Sequence, residues 1–135
     1  MATSRVTYQG ELRTSSEHLQ SGSIIISDAP VDNQGKGAAF SPTDTVANAL
    51  ASCMFTVMGI KARDLGVDLA GSTAEVTKVI GTDPRRISAI HIVFTFAIAV
   101  DDKTKTILER TAMTCPVHYS LHPEITQDIV FHWSA

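Results

Sequence analysis

Apolar and polar positions divide the chain into a β-rich opening, one long apolar helix, and a second half that mixes strands and helices. Short β-like runs lie between Arg5 and Asp28, with a turn at Gly10, and Ser23-Ile24-Ile25-Ile26-Ser27 reads as a strand. The next segment, Asp28-Ala29-Pro30-Val31-Asp32-Asn33-Gln34-Gly35-Lys36-Gly37, is dense in turn formers and predicts a loop. From Val46 to Ile60 nearly every residue is apolar or small, and the exceptions Asn48, Ser52 and Thr56 recur at every fourth position in one narrow stripe. That pattern predicts a helix buried on all sides. Ser41 is placed to cap it, Pro42 to take the first helical position and Asp44 to close a capping box, while Gly66 supplies the stop. The run is short and interrupted for a membrane span, so a core helix is expected.

Beyond the helix, Ala74 to Gly81 reads as a strand and Asp83-Pro84-Arg85-Arg86 as the turn that follows it. The next strand alternates strongly: Ile90, Ile92, Phe94, Phe96 and Ile98 share one face, opposite His91, Val93, Thr95 and Ala97. Asp101-Asp102 opens a helix carrying Ile107, Leu108, Thr111 and Ala112, and a short helix is expected from Pro116. A last strand places Ile129, Phe131 and Trp133 on one face. Strands, helix, strands, helices, strand is an α+β plan.

Composition narrows the picture. The 135 residues suit one domain, 1–135, and 44% hydrophobic against 19% charged residues is enough to build a core. A domain of this size covers a large all-round apolar helix with difficulty, which argues for a partner chain. The net charge is −3 and the basic residues are scattered, so neither nucleic acid nor an anionic membrane surface is an expected partner. The opening Met1-Ala2-Thr3-Ser4-Arg5-Val6 lacks the apolar run of a signal peptide, so a cytoplasmic location is expected. In a reducing compartment two cysteines are not a permanent staple; they are inert core residues or redox-active ones.

Each cysteine is open to both readings. Cys53, inside the apolar helix, packs well as a small hydrophobe; if reactive, it needs a cation from elsewhere, because a mid-helix thiol gains little from the helix dipole. Cys115 precedes Pro116 and so sits at a helix start, either as a cap or as a thiol favoured by unpaired N–H groups. The spacing of Cys115, His118 and His122 could share a helical face, yet Pro123 follows at once and no CxxC accompanies them, so no metal is expected. No GxSxG elbow and no phosphate-cradling loop are present, and the chemistry considered below needs no metal, flavin or nucleotide.

Ser41-Pro42-Thr43-Asp44 followed by the Ala-rich helix with Ala49-Leu50-Ala51-Ser52-Cys53 resembles the signature helix of the OsmC/Ohr family, and Cys115-Pro116-Val117-His118 resembles its second-cysteine motif. Tyr8-Gln9-Gly10-Glu11-Leu12-Arg13 and Ser27-Asp28-Ala29-Pro30 are similar too, so the resemblance covers essentially the whole chain. It implies an OsmC-like fold: strongly bent antiparallel sheets wrapped around long central helices in an intertwined homodimer. It also implies a thiol peroxidase for small organic hydroperoxides, reset by an external dithiol. In that scheme Cys53 attacks the peroxide and Cys115 resolves it. The site arginine maps to Arg13, with Arg5 as a second candidate, and the site acid to Asp44; the Glu of the Ohr branch falls at Thr43, a departure that leaves the sub-branch open. Phe40, Met54, Phe55 and Met58 could wall an apolar pocket or simply pack in the core. A reading from another class is a non-catalytic module that binds a small apolar ligand or senses redox state with the same thiols.

Overall fold

The computed structural model describes residues 1–135, which gather into two compact units, Met1–Thr45 and Val46–Ala135. The first holds an antiparallel sheet of β1 (Ser4–Gly10), β2 (Arg13–His18) and β3 (Ile24–Asp28) in that order. Glu11 and Leu12, both at positive φ (52° and 64°), form the two-residue turn from β1 to β2. A turn of this hand matches the twist of the paired strands, although Gly, Asn and Asp are its usual residues.

The segment after β3 carries a short 3-10 turn at Val31–Asn33 and folds back on itself. Asp28 N–H donates to Phe40 O (3.2 Å), Gly37 N–H to Ala29 O (3.2 Å), and Ala29 N–H to Leu12 O (3.0 Å), tying the loop to the β1–β2 turn. Gly35 is required for this closure, because a Cβ there would lie 1.7 Å from Ala29 O.

Helix α1 spans Pro42–Asp64, starting in the first unit and continuing through the second. Its start follows the sequence: Ser41 Oγ accepts from Asp44 N–H (3.0 Å), and the Asp44 carboxylate accepts from Ser41 N–H (3.0 Å), a closed capping box. Gly66, at φ 71°, lets Val67 N–H reach Ala62 O (2.8 Å) and closes the other end. At 23 residues and mean hydropathy 1.3 over its most apolar stretch, α1 is long and apolar enough to cross a membrane, contrary to the expectation that it is too short. The capping box and a first turn of small polar residues extend it beyond the apolar run. Ala47, Leu50, Ala51, Met54, Met58 and Ala62 form its buried stripe in the core of the second unit. The expectation of burial on all sides is not met within one chain, since Val46, Asn48, Ser52, Thr56 and Ile60 remain exposed.

The second unit contains β4 (Thr73–Gly81), β5 (Arg86–Thr95), α2 (Asp102–Ala112), α3 (Pro116–Ser120) and β6 (Thr126–His132). The sheet order is β4-β5-β6; β4 and β5 are antiparallel, whereas β5 and β6 are parallel, a departure from all-antiparallel sheets. The reason is topological: α2 and α3 carry the chain back across the sheet before β6 begins. Ile90, Ile92, Phe94 and Phe96 are buried along one face as their alternation requires. Phe55 of α1 packs edge-on against Phe94 (centroids 4.8 Å), and Trp133 stacks on Phe96 (3.8 Å) while its indole N–H donates to Glu109 Oε2 (3.0 Å).

Candidate active site

The two cysteines lie on different elements of the second unit, and folding brings their side chains together. Cys53 is half-buried in the middle of α1; Cys115 is fully buried at the start of α3; no disulfide joins them. Cys115 is the N-cap of α3, with Pro116 at the first helical position, and its sulfur accepts from His118 N–H (3.2 Å). That part of the sequence reading holds. Its electrostatic consequence does not: burial pushes the Cys115 thiol above its ordinary value of 9.0. The His118 N–H opposes this only in part, and the neighbouring Cys53 side chain pushes the thiol up further. The N-terminus of a five-residue helix offers too little positive potential to offset the desolvation of its buried N-cap thiol.

His118 is fixed from the other side. Its Nδ1 donates to Gln127 Oε1 (2.5 Å), and Gln127 Nε2 donates to His118 O (3.4 Å), so α3 is clasped to β6. The sequence reading did not single out Gln127, because a clasp between elements leaves no local pattern. No group of three or more His, Cys, Asp or Glu side chains is arranged to hold a metal ion.

In the first unit, Arg13 opens β2 directly opposite Asp28, which closes β3. Arg13 Nε and Nη2 donate to Asp28 Oδ1 (2.7 Å) and Oδ2 (2.8 Å), a two-point grip; the same carboxylate accepts Ala38 N–H at Oδ2 (3.1 Å). The Arg13 guanidinium holds the Asp28 carboxyl below its ordinary value of 3.8 against the cost of burial, and Arg13 is raised in turn. The carboxylate that grips Arg13 is Asp28, a residue the sequence reading did not single out as a partner for it. The cross-strand register decides it, and register is invisible until β2 and β3 are paired. A signal did exist: Asp at the end of an apolar strand, ahead of Ala-Pro. Asp44 has its bond to Ser41 in the capping box. Arg5, the other candidate arginine, is an exposed position of β1 opposite Glu17.

The four residues considered for a pocket wall separate. Met54 and Met58 are fully buried and pack in the core, as the plainer of their two readings had it. Phe55 is engaged with Phe94 and Phe96. Phe40 is 56% exposed and lines a shallow cavity of about 410 Å³ in the first unit with Gly37, Ala38, Ala39 and Asp44.

The profile of the OsmC-like protein family matches residues 35–130, and the chain belongs to that family. Among solved structures it is similar to one from Psychrobacter arcticus 273-4, named for osmotic stress induction and detoxification response. The two share 63% identity over 98% of this chain and 96% of that one, with a TM-score of 0.95. The fold is shared with an organic hydroperoxide resistance protein from Legionella pneumophila (13% identity, 98% of each chain covered, TM-score 0.72). It is shared also with the organic hydroperoxide resistance protein OhrB of Bacillus subtilis (15% identity, 96% of this chain and 98% of that one, TM-score 0.67). No curated protein matches the sequence.

Proposed function

We propose that this chain is a thiol peroxidase that reduces small organic hydroperoxides through Cys53 and Cys115. The observation that carries the reading is the pair of free thiols, held side by side by α1 and α3 in a family whose structural relatives include organic hydroperoxide resistance proteins. Cys53 is taken as the attacking residue because it is the more accessible thiol, while ionisation of Cys115 is opposed. The Cys53 thiolate attacks the distal oxygen of ROOH; the O–O bond breaks and the departing alkoxide takes a proton to leave as alcohol. Sulfur is oxidised to a sulfenic acid and the peroxide is reduced. Cys115 then attacks that sulfur, releasing water and forming a disulfide, which an external dithiol reopens by exchange. In this reading the site arginine is the one that the family resemblance implies, Arg13.

The working unit in this reading is a homodimer. Val6 and Tyr8 of β1 and Ile24 and Ile25 of β3 are each about 60% exposed, and Ile60 of α1 is 57% exposed. Apolar side chains in such number on one small chain favour a covering partner.

The decisive assay is consumption of an organic hydroperoxide with a dithiol as reductant. Cys53→Ser should abolish turnover. Cys115→Ser should convert one peroxide per chain, accumulate a sulfenic acid and stall. A Cys53→Ser variant with full turnover would remove the reading.

A further inference from the structure

We propose that Gln127 is a positioning residue for the resolving thiol: its carboxamide grips the ring and the carbonyl of His118, and the N–H of that same residue holds the Cys115 sulfur at the start of α3. The inference rests on the proposed peroxidase reading, in which Cys115 attacks the oxidised sulfur of Cys53. The core-facing positions of β6 are Gln127, Ile129, Phe131 and, just beyond its end, Trp133, and Gln127 lies in register with the fully buried Ile90 of β5. Gln127 is therefore the polar position on an otherwise apolar face. A carboxamide turned toward a core costs desolvation unless both of its ends are paired. Both are: Oε1 accepts from His118 Nδ1 (2.5 Å), and Nε2 donates to His118 O (3.4 Å). An apolar residue would fill the place without that cost, so what distinguishes the amide is what it holds.

The element it holds cannot fix itself. Helix α3 has five residues, and a helix of that length is not stable by its own hydrogen bonds. Its backbone contributes Tyr119 N–H to Cys115 O (3.3 Å) and Leu121 N–H to Val117 O (3.1 Å). The Gln127 clasp ties the middle residue of this helix to β6, and Cys115 Sγ accepts from the N–H of that residue (3.2 Å). In the resolving step the Cys115 sulfur bonds to the Cys53 sulfur and the S–O bond of the sulfenic acid breaks. Hydroxide leaves and, with the Cys115 proton, becomes water. Two groups held in place react as though at a far higher concentration than two free ones. Gln127 supplies part of that fixing from the strand behind the helix.

The test is the disulfide equilibrium of Cys53 and Cys115 in buffers of oxidised and reduced dithiothreitol, read on the full-length chain by acid quenching and mass spectrometry, with thermal melting of the reduced chain alongside. Each disulfide formed reduces one oxidised dithiothreitol, so no peroxide enters the measurement. Gln127→Ala frees α3 in the reduced chain and should lower the equilibrium constant for the disulfide about tenfold, a shift of about 30 mV. Gln127→Glu keeps an acceptor for His118 Nδ1 and should stay within about threefold of the unsubstituted chain. A merely structural Gln127 would lower melting in Gln127→Ala and leave the disulfide equilibrium unchanged, and that result overturns the inference. So does a loss in Gln127→Glu as large as that in Gln127→Ala. If Gln127→Ala does not fold, His118→Phe carries the test: the N–H on the sulfur stays, the ring contact goes, and most of the same loss should appear, whereas an unchanged equilibrium overturns the inference. Absence of any disulfide in the unsubstituted chain overturns it too. Hydroperoxide consumption is measured separately, so a chain that forms the disulfide in a Gln127-dependent way but leaves the peroxide intact loses the peroxidase reading and keeps the positioning of Cys115.

Discussion

Cys115 illustrates how one residue can satisfy a local rule and reverse the expected consequence. It caps α3 through His118 N–H, the geometry that ordinarily favours a thiolate, yet complete burial raises it. The native chain should therefore consume one equivalent of alkylating agent at neutral pH, at Cys53, and a second only in denaturant; mass spectrometry of the labelled protein reads this directly. Rapid labelling of both thiols in the folded state would contradict the burial of Cys115. Asp28 gives a prediction of the opposite sign. Its carboxyl is lowered in the fold, so the stabilisation it brings is present above the ordinary value of 3.8 and is lost as pH falls through the still lower folded value. Melting temperatures of the wild-type chain and Asp28→Asn should differ most near neutrality and converge below about pH 4. A gap that does not change with pH would mean that the charge is not its source.

At the scale of elements, the ends of α1 follow local chemistry. Ser41, Pro42, Asp44 and Gly66 each take the position their side chains or backbone freedom suit, and hydrogen bonds confirm the cap and the stop. Ser41→Ala removes the buried hydroxyl that accepts Asp44 N–H and should cost about 0.5–2 kcal/mol in denaturant unfolding. A loss well under that range would mean that the helix start is held by packing alone. The period-two alternation of β5 likewise specified its buried face residue by residue, from Ile90 to Phe96. Pairing was less legible. The parallel β5–β6 ladder and the Arg13–Asp28 cross-strand pair both depend on which strands meet and in what register, and neither leaves a mark within its own segment.

For the whole molecule, the apolar surface left uncovered is the feature with consequences. Val6, Tyr8, Ile24 and Ile25 on the first sheet and Ile60 on α1 should become protected in an assembly of two chains. Sedimentation at micromolar concentration should give twice the chain mass, and Ile25→Lys should shift the equilibrium toward monomer. A stable, compact monomer would leave these side chains unexplained and would remove the dimeric form of the proposed site.

The sequence by itself determined the α+β class, the order of elements, the caps of α1, the core face of β5 and the membership of both cysteines in recognisable motifs. Each of these is written in local spacing or residue chemistry, which acts over one or two turns of chain. Tertiary structure alone decided that the two thiols meet, that Cys115 is buried enough to hold its proton, and that the anchor of Arg13 is Asp28. Those outcomes depend on desolvation and on contacts between segments distant in the chain, and the free energy of a buried group is set by whatever surrounds it after folding.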